Sequence, residues 1–144
     1  MSDYDPNYVP TYALYLIGVK TIIYNEKGEI LLLKRSGKSP SPHTWDFPGG
    51  GVDNDENPND TALREIAEET TLNVGSLSPI SVYENTDDTH QYVVIGYTAE
   101  YIGGSVSLSW EHEAYEWMSL DTVSNLGLRH LHQSIFDAYL KTLS

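Results

Sequence analysis

Residues 47–72, FPGGGVDNDENPNDTALREIAEETTL, gather side chains that could do chemistry. Within residues 53–69 stand seven carboxylates and one cation, Arg64. Like charges at that density repel, so the segment is either a solvated surface or a place where something strongly positive binds. A solvated surface is energetically easy, because a like-charged i,i+4 pair costs a helix only about 0.2–0.5 kcal/mol. The context favours binding. Gly49, Gly50 and Gly51 precede the acids and let backbone approach a ligand closely. Carboxylate oxygens in a chain without cysteine suit a hard divalent ion, Mg²⁺ or Mn²⁺, bridging to phosphates, and do not suit zinc.

The spacing predicts a helix over residues 58–70. Asn57 can cap it, Pro58 fits its first turn, and Asp60 complements the positive end of the dipole. At about 100° per residue, Ala62, Leu63, Ile66 and Ala67 form one apolar side. Glu65, Glu68 and Glu69, at i, i+3 and i+4, are expected on the opposite side, facing away from the core. The preceding loop can bring Glu56 near them.

The remaining elements must position this helix. Residues 11–24 are β-branched, aromatic and apolar on both faces, which predicts a strand buried on both sides. Residues 25–29 form a turn, and residues 30–34 pair back as a second strand. A loop broken by Gly37 and two prolines follows. Further strands are expected at residues 75–84, 91–101 and 114–117, and a second helix at 128–140. This order predicts an α/β fold, a mixed sheet with a helix on each face.

The chain has 144 residues, the size of one domain, with residues 1–10 expected as a flexible tail. A net charge of −13 argues against binding duplex nucleic acid, which requires clustered cations. No stretch approaches the ~20 apolar residues of a membrane span, and no signal-peptide pattern opens the chain. With no cysteine, the expected location is cytoplasmic.

The acidic segment resembles the Nudix box. The matching positions are Gly50, Glu56, Arg64, Glu65, Ile66, Glu68, Glu69 and Leu72; Thr71 departs, standing where that family usually has glycine. The stretches ILLLKRS, WDFPGG and EHEAYEWMSLDTV outside the box resemble family segments too. The resemblance implies an α/β/α sandwich and metal-dependent hydrolysis of a nucleoside diphosphate linked to another moiety. It implies Glu68 and Glu69 as metal ligands with the Gly49 carbonyl, and Glu65 as ligand or general base. Arg64 is expected to hold a carboxylate such as Glu56, since a guanidinium makes a rigid fork to carboxylate.

Outside the box, Glu111 stands six residues before Trp117 and ranks ahead of Glu113 and Glu116 as a further metal ligand. Arg35, Trp45 and Phe47 are the candidates for substrate contact: a cation near the phosphates and two rings able to stack on a base or to join the core. His112, His130 and His132 are expected as solvated surface groups. The first substrate expectation is a nucleoside triphosphate, oxidised ones included. ADP-ribose or another nucleoside diphosphate sugar comes next, then a nucleotide-binding module that hydrolyses nothing. A regulatory module would be expected to lose its metal carboxylates, and here all are present. Monomer and homodimer are both compatible with the sequence.

Overall fold

The computed structural model describes residues 3–144, so the first two residues of the expected tail lie outside it. Residues before the first strand are exposed, Tyr12 by 82% and Leu14 by 87%. Strand β1 (Leu16–Tyr24) therefore starts later than the apolar pattern suggested. Partner availability sets the boundary: Leu16 is the first residue with a neighbour, Tyr92, at the start of β7 (Gln91–Gly103), which runs parallel to β1.

Strand β2 (Ile30–Arg35) follows the expected turn but does not stay beside β1. The two share a single register pair, Tyr24 with Ile30. β2 then runs along β8 (His112–Met118), from Ile30 opposite Met118 to Arg35 opposite His112. The divergence opens a gap, and two short strands fill it. β3 (Trp45–Asp46) pairs with β2, and β4 (Gly49–Gly51) pairs with β1, placing Gly49 opposite Lys20. Neither was expected, because a Trp-Asp pair and three glycines carry no strand periodicity. Glycine is required at 49: a β-carbon there would fall 1.9 Å from the Val19 carbonyl oxygen.

The far side of the sheet is β7 with β5 (Asn73–Val74) and β6 (Ser78–Thr86). β6 begins later than expected, and its register shifts between Pro79 and Ser81. A proline is tolerated there because β6 pairs on one side only.

Side-chain alternation along the sheet assigns a helix to each face. Ile22, Ile30 and Leu32 pack with Phe47 and with Ile135 and Phe136 of α3 (His130–Thr142). Ile23, Leu31 and Leu33 pack with Ile66 of α1 (Pro58–Thr70), and Ala62 joins Val19 and Tyr97. Each such side chain, fully buried, contributes about 1.5–3 kcal/mol. The result is an α/β/α sandwich with a mixed sheet, as the sequence led one to expect. A one-turn helix, α2 (Leu120–Ser124), capped by Ser119, leads toward α3. No helix among the described residues is long and apolar enough to cross a membrane.

α1 starts at Pro58, with the Asn57 side chain accepting from the Asp60 N–H at 2.9 Å. It ends at Thr71, which adopts the left-handed region at φ 61°. A side chain with a β-carbon enters that region at about 1–2 kcal/mol. The Thr71 hydroxyl donates to the Ser105 carbonyl at 2.7 Å, a bond worth about 0.5–1.5 kcal/mol that offsets the strain. Thr71→Gly loses strain and bond together and should leave stability within about 1 kcal/mol of the parent. Thr71→Ala keeps the strain and loses the bond, and should be the least stable by about 1 kcal/mol. Urea unfolding of the three proteins checks this order. An alanine variant as stable as the parent would show that the hydroxyl contributes nothing.

Candidate active site

The buried stripe of α1 is Thr61, Ala62, Glu65, Ile66, Glu69 and Thr70, whereas Leu63 is 46% exposed and Ala67 faces water. This corrects the expected division of faces. Glu65 and Glu69 lie on the core side with Ala62 and Ile66; only Glu68 of the three points outward. Residues 62, 65, 66 and 69 follow the i, i+3, i+4, i+7 spacing of a buried stripe. Two members are acidic because the surface they meet is peptide, not hydrocarbon. The Gly49 N–H donates to Glu69 Oε2 at 3.1 Å, and a β-carbon on Gly50 would lie 2.5 Å from Glu65 Oε1. The glycine strand is thin so that two carboxyls can lie against it.

Burial raises the pKa of both acids. For Glu69, the neighbouring Glu65 raises it further, while Lys20 and the Gly49 N–H oppose the rise. For Glu65, burial outweighs its bond to Glu69 and the Arg64 charge, with Glu68 and Glu111 adding repulsion. Two buried carboxyls bonded to each other hold a proton well above the ordinary carboxylate range.

Arg64 organises the other acids. Its Nε and Nη2 fork onto Glu56 at 2.7 and 3.0 Å, and its Nη1 reaches Glu65 and Glu68, each at 3.2 Å. Glu56 also accepts from the Thr61 hydroxyl at 2.7 Å. The bonds from Arg64 and Thr61 hold its pKa down at about 2, so it stays an anion that fixes Arg64 and is ill suited to take a proton. Among the described residues, no three His, Asp or Glu side chains stand close enough to hold an ion between them already. Arg64 Nη1 stands between Glu65 and Glu68, where it bonds both. The donors at hand are nonetheless hard oxygens, and a divalent cation would displace the shared proton, so the residues fit such an ion.

Of the three acids near β8, Glu111 stands with the box, close enough for its charge to raise Glu65. Glu113 is paired with His43, and Glu116 is exposed opposite Leu32.

A second polar group lies beside this one, centred on Asp46, which is fully buried. Asp46 meets Arg35 Nη1 at 2.9 Å, His112 Nε2 at 3.0 Å and Lys20 Nζ at 3.6 Å. Burial alone would raise its pKa, but Lys20, the His112 bond and the His112 and His132 charges outweigh burial and hold it well below the carboxylate range. The sequence reading missed Asp46 and Lys20. Their signal was a charge inside apolar strands, and a buried charge must be paired. Arg35 is thus in a buried ion pair. His112 is not solvated but 6% exposed, and His132 is 1% exposed with its pKa pulled down to about 3 by burial first and then by Lys20. His130 does reach the surface, bonded to the Tyr83 hydroxyl at 2.9 Å. Phe47 lies wholly in the core with its ring 5.9 Å from that of His132, leaving no face for a base. Trp45 is half-buried, with Lys34 Nζ 6.0 Å from its ring centroid.

The carboxyl pair makes stability depend on pH and cation together. A raised folded pKa gives stability that is full below the ordinary glutamate value, about 4.3, and is lost as pH rises through the folded value. In chelator, urea unfolding should show less stability at about pH 9 than at about pH 7. Mg²⁺ should restore more at the higher pH, and Glu69→Gln should flatten the slope. Stability unchanged between the two pH values, in parent and variant alike, would refute the shared-proton pair.

The NUDIX domain model matches residues 14–139. A "MutT-like protein" of Streptomyces ambofaciens is 32% identical over 111 residues, 77% of this chain and 68% of that protein. A "Putative 8-oxo-dGTP diphosphatase" of Bacillus subtilis is 38% identical over 82 residues, 55% of this chain and 52% of its own length. The chain therefore spans about two thirds of one relative and about half of the other. The crystal structure of a MutT protein from Methanosarcina mazei Go1 superposes with a TM-score of 0.78 at 32% identity, covering 90% of this chain and 96% of that one. With a family match over most of its length, the same fold and the box residues gathered at one site, the chain belongs to the Nudix hydrolase family, whose members generally use divalent metal ions.

Proposed function

We propose that the chain hydrolyses the diphosphate linkage of a nucleoside triphosphate, oxidised forms included, releasing pyrophosphate and a nucleoside monophosphate, with Mg²⁺ or Mn²⁺. The observation that carries this reading is the buried Glu65–Glu69 pair against the glycine strand, with the cation Lys20 acting on both that pair and Asp46. Carboxylates able to hold cations thus adjoin Lys20 and Arg35, two of only 8 Lys and Arg in a chain of net charge −13. That juxtaposition suits a substrate that is itself a polyanion. The name of the Bacillus relative, a diphosphatase of an oxidised nucleoside triphosphate, supports the choice of substrate.

Divalent ions, when bound, would neutralise the diphosphate oxygens and acidify the attacking water. Glu68 and Glu69, with the Gly49 carbonyl, are the groups proposed to hold them. Glu65, whose pKa burial raises, is the residue here best suited to take the water's proton. Arg64 and Glu56 fix each other and so set the orientation of that carboxylate.

A screen with Mg²⁺ over nucleoside triphosphates, diphosphate sugars, dinucleoside polyphosphates and capped RNA tests the substrate. Pyrophosphate plus monophosphate supports the proposal; two monophosphate esters favour a diphosphate sugar. On the best substrate, Glu68→Gln and Glu69→Gln should each lower kcat by about 10²–10³-fold, the worth of one electrostatic contact to the transition state. Glu65→Gln should be comparably damaging, and Glu26→Gln, in the exposed turn after β1, should change little. Full activity in both Glu68→Gln and Glu69→Gln would sink the mechanism.

A further inference from the structure

Glu111 presents a contradiction between its side chain and its backbone. Its carboxylate makes no hydrogen bond or ion pair among the described residues, yet it stands near enough to Glu65 for the two to repel. A half-buried anion in that position would relieve the repulsion by swinging toward water. The backbone that carries it is tied from two directions. The Glu111 carbonyl accepts from the Ser36 N–H at 2.9 Å and from the Ser39 hydroxyl at 2.7 Å. Both serines belong to one turn, closed by the Ser39 N–H donating to the Ser36 carbonyl at 3.1 Å. Ser39 is 6% exposed, so its hydroxyl is committed to this contact and not to water.

The second tie runs through the next residue. His112 is anchored by Nε2 to Asp46, and Asp46 stands on β3, three residues before Gly49. Asp46 therefore connects the limb bearing Glu111 to the limb against which Glu65 and Glu69 are buried. The register shift between Lys34 and Arg35, where β2 meets His112, lies at the same place.

We propose that Ser39, His112 and Asp46 are positioning residues that fix the backbone carrying Glu111 on the same framework as the glycine strand, so that its carboxylate can join a cation site at Glu65 and Glu69 without rearrangement of the main chain. This rests on reading Glu111 as a metal ligand. Substitution of groups that orient a ligand typically costs about 10–100-fold in metal affinity.

The test is Mn²⁺ binding to the purified protein, followed by the electron paramagnetic resonance signal of free Mn²⁺, with thermal unfolding in chelator measured in parallel. Ser39→Ala should weaken Mn²⁺ binding about tenfold, the lower end of that range, while Ser39→Thr, which keeps the hydroxyl, should bind like the parent. Glu111→Gln should also weaken binding, and in that background Ser39→Ala should add nothing. His112→Gln should follow the same pattern. A purely structural role would lower unfolding temperature without this dependence on Glu111. If Ser39→Ala leaves Mn²⁺ affinity unchanged, or shifts it equally in both backgrounds, the positioning role is overturned while Glu111 stands as a ligand. If Glu111→Gln binds Mn²⁺ like the parent, the ligand reading and the positioning role fall together.

Discussion

Two carboxyls, Glu65 and Glu69, lie against the backbone of a three-glycine strand, and much of the molecule is arranged to make that contact tolerable. A buried carboxylate without compensation is costly, so this one is met by a peptide N–H, by a lysine across the strand and by its own neighbour's proton. Each compensation dictates something else. The close approach of that strand requires glycine at 49, against the Val19 carbonyl, and at 50, against the Glu65 carboxyl. The lysine must then lie inside the sheet, and it needs Asp46. Asp46, in turn, draws in Arg35 and His112. The glycine strand itself fits only because β1 and β2 part company after a single register pair.

Two charged hubs of opposite sign share the work. Arg64 is a cation surrounded by carboxylates on the outer side of α1; Asp46 is an anion surrounded by cations and imidazoles within the sheet. Each restrains several side chains through one central group, so little side-chain entropy remains to be lost when a ligand binds. The arrangement also confines most of the local repulsion to the gap between the hubs, where Glu65 and Glu69 stand and where Glu111 approaches.

The box helix was legible in the sequence, because its cap, its proline and its apolar spacing are local signals, whereas a left-handed end at a threonine was not. The layers followed from the order of strands and helices along the chain. What remained hidden was tertiary. The spacing of Glu65 and Glu69 with Ala62 and Ile66 was on the page, but acidity argued for solvent, and only the position of the glycine strand shows why burial wins. β3 and β4 are too short for any periodic pattern. Asp46 went unread and His112 read as a surface group because each has its partner on another strand; the His112–Asp46 contact spans 66 residues of sequence. His132, also expected at the surface, is buried against Phe47. Phe47 is the converse case, an aromatic beside glycines that belongs wholly to the core.

The parallel pairing of β1 with β7 has a kinetic consequence. Residues about half the chain apart must meet before the sheet closes, as in the contact of Thr98 with the Ile22 carbonyl across 76 positions. Such non-local pairing is slow to form, whereas α1 and its caps form from neighbours in sequence. The crowding of Glu65, Glu69 and Glu111 is therefore met only once the sheet has closed, late in assembly. Interactions absent from the transition state act on the rate of unfolding rather than on the rate of folding. A cation at this site would lengthen the lifetime of the native chain while leaving refolding unhurried, and stopped-flow measurements of both rates with and without Mg²⁺ would show the difference in the unfolding limb alone.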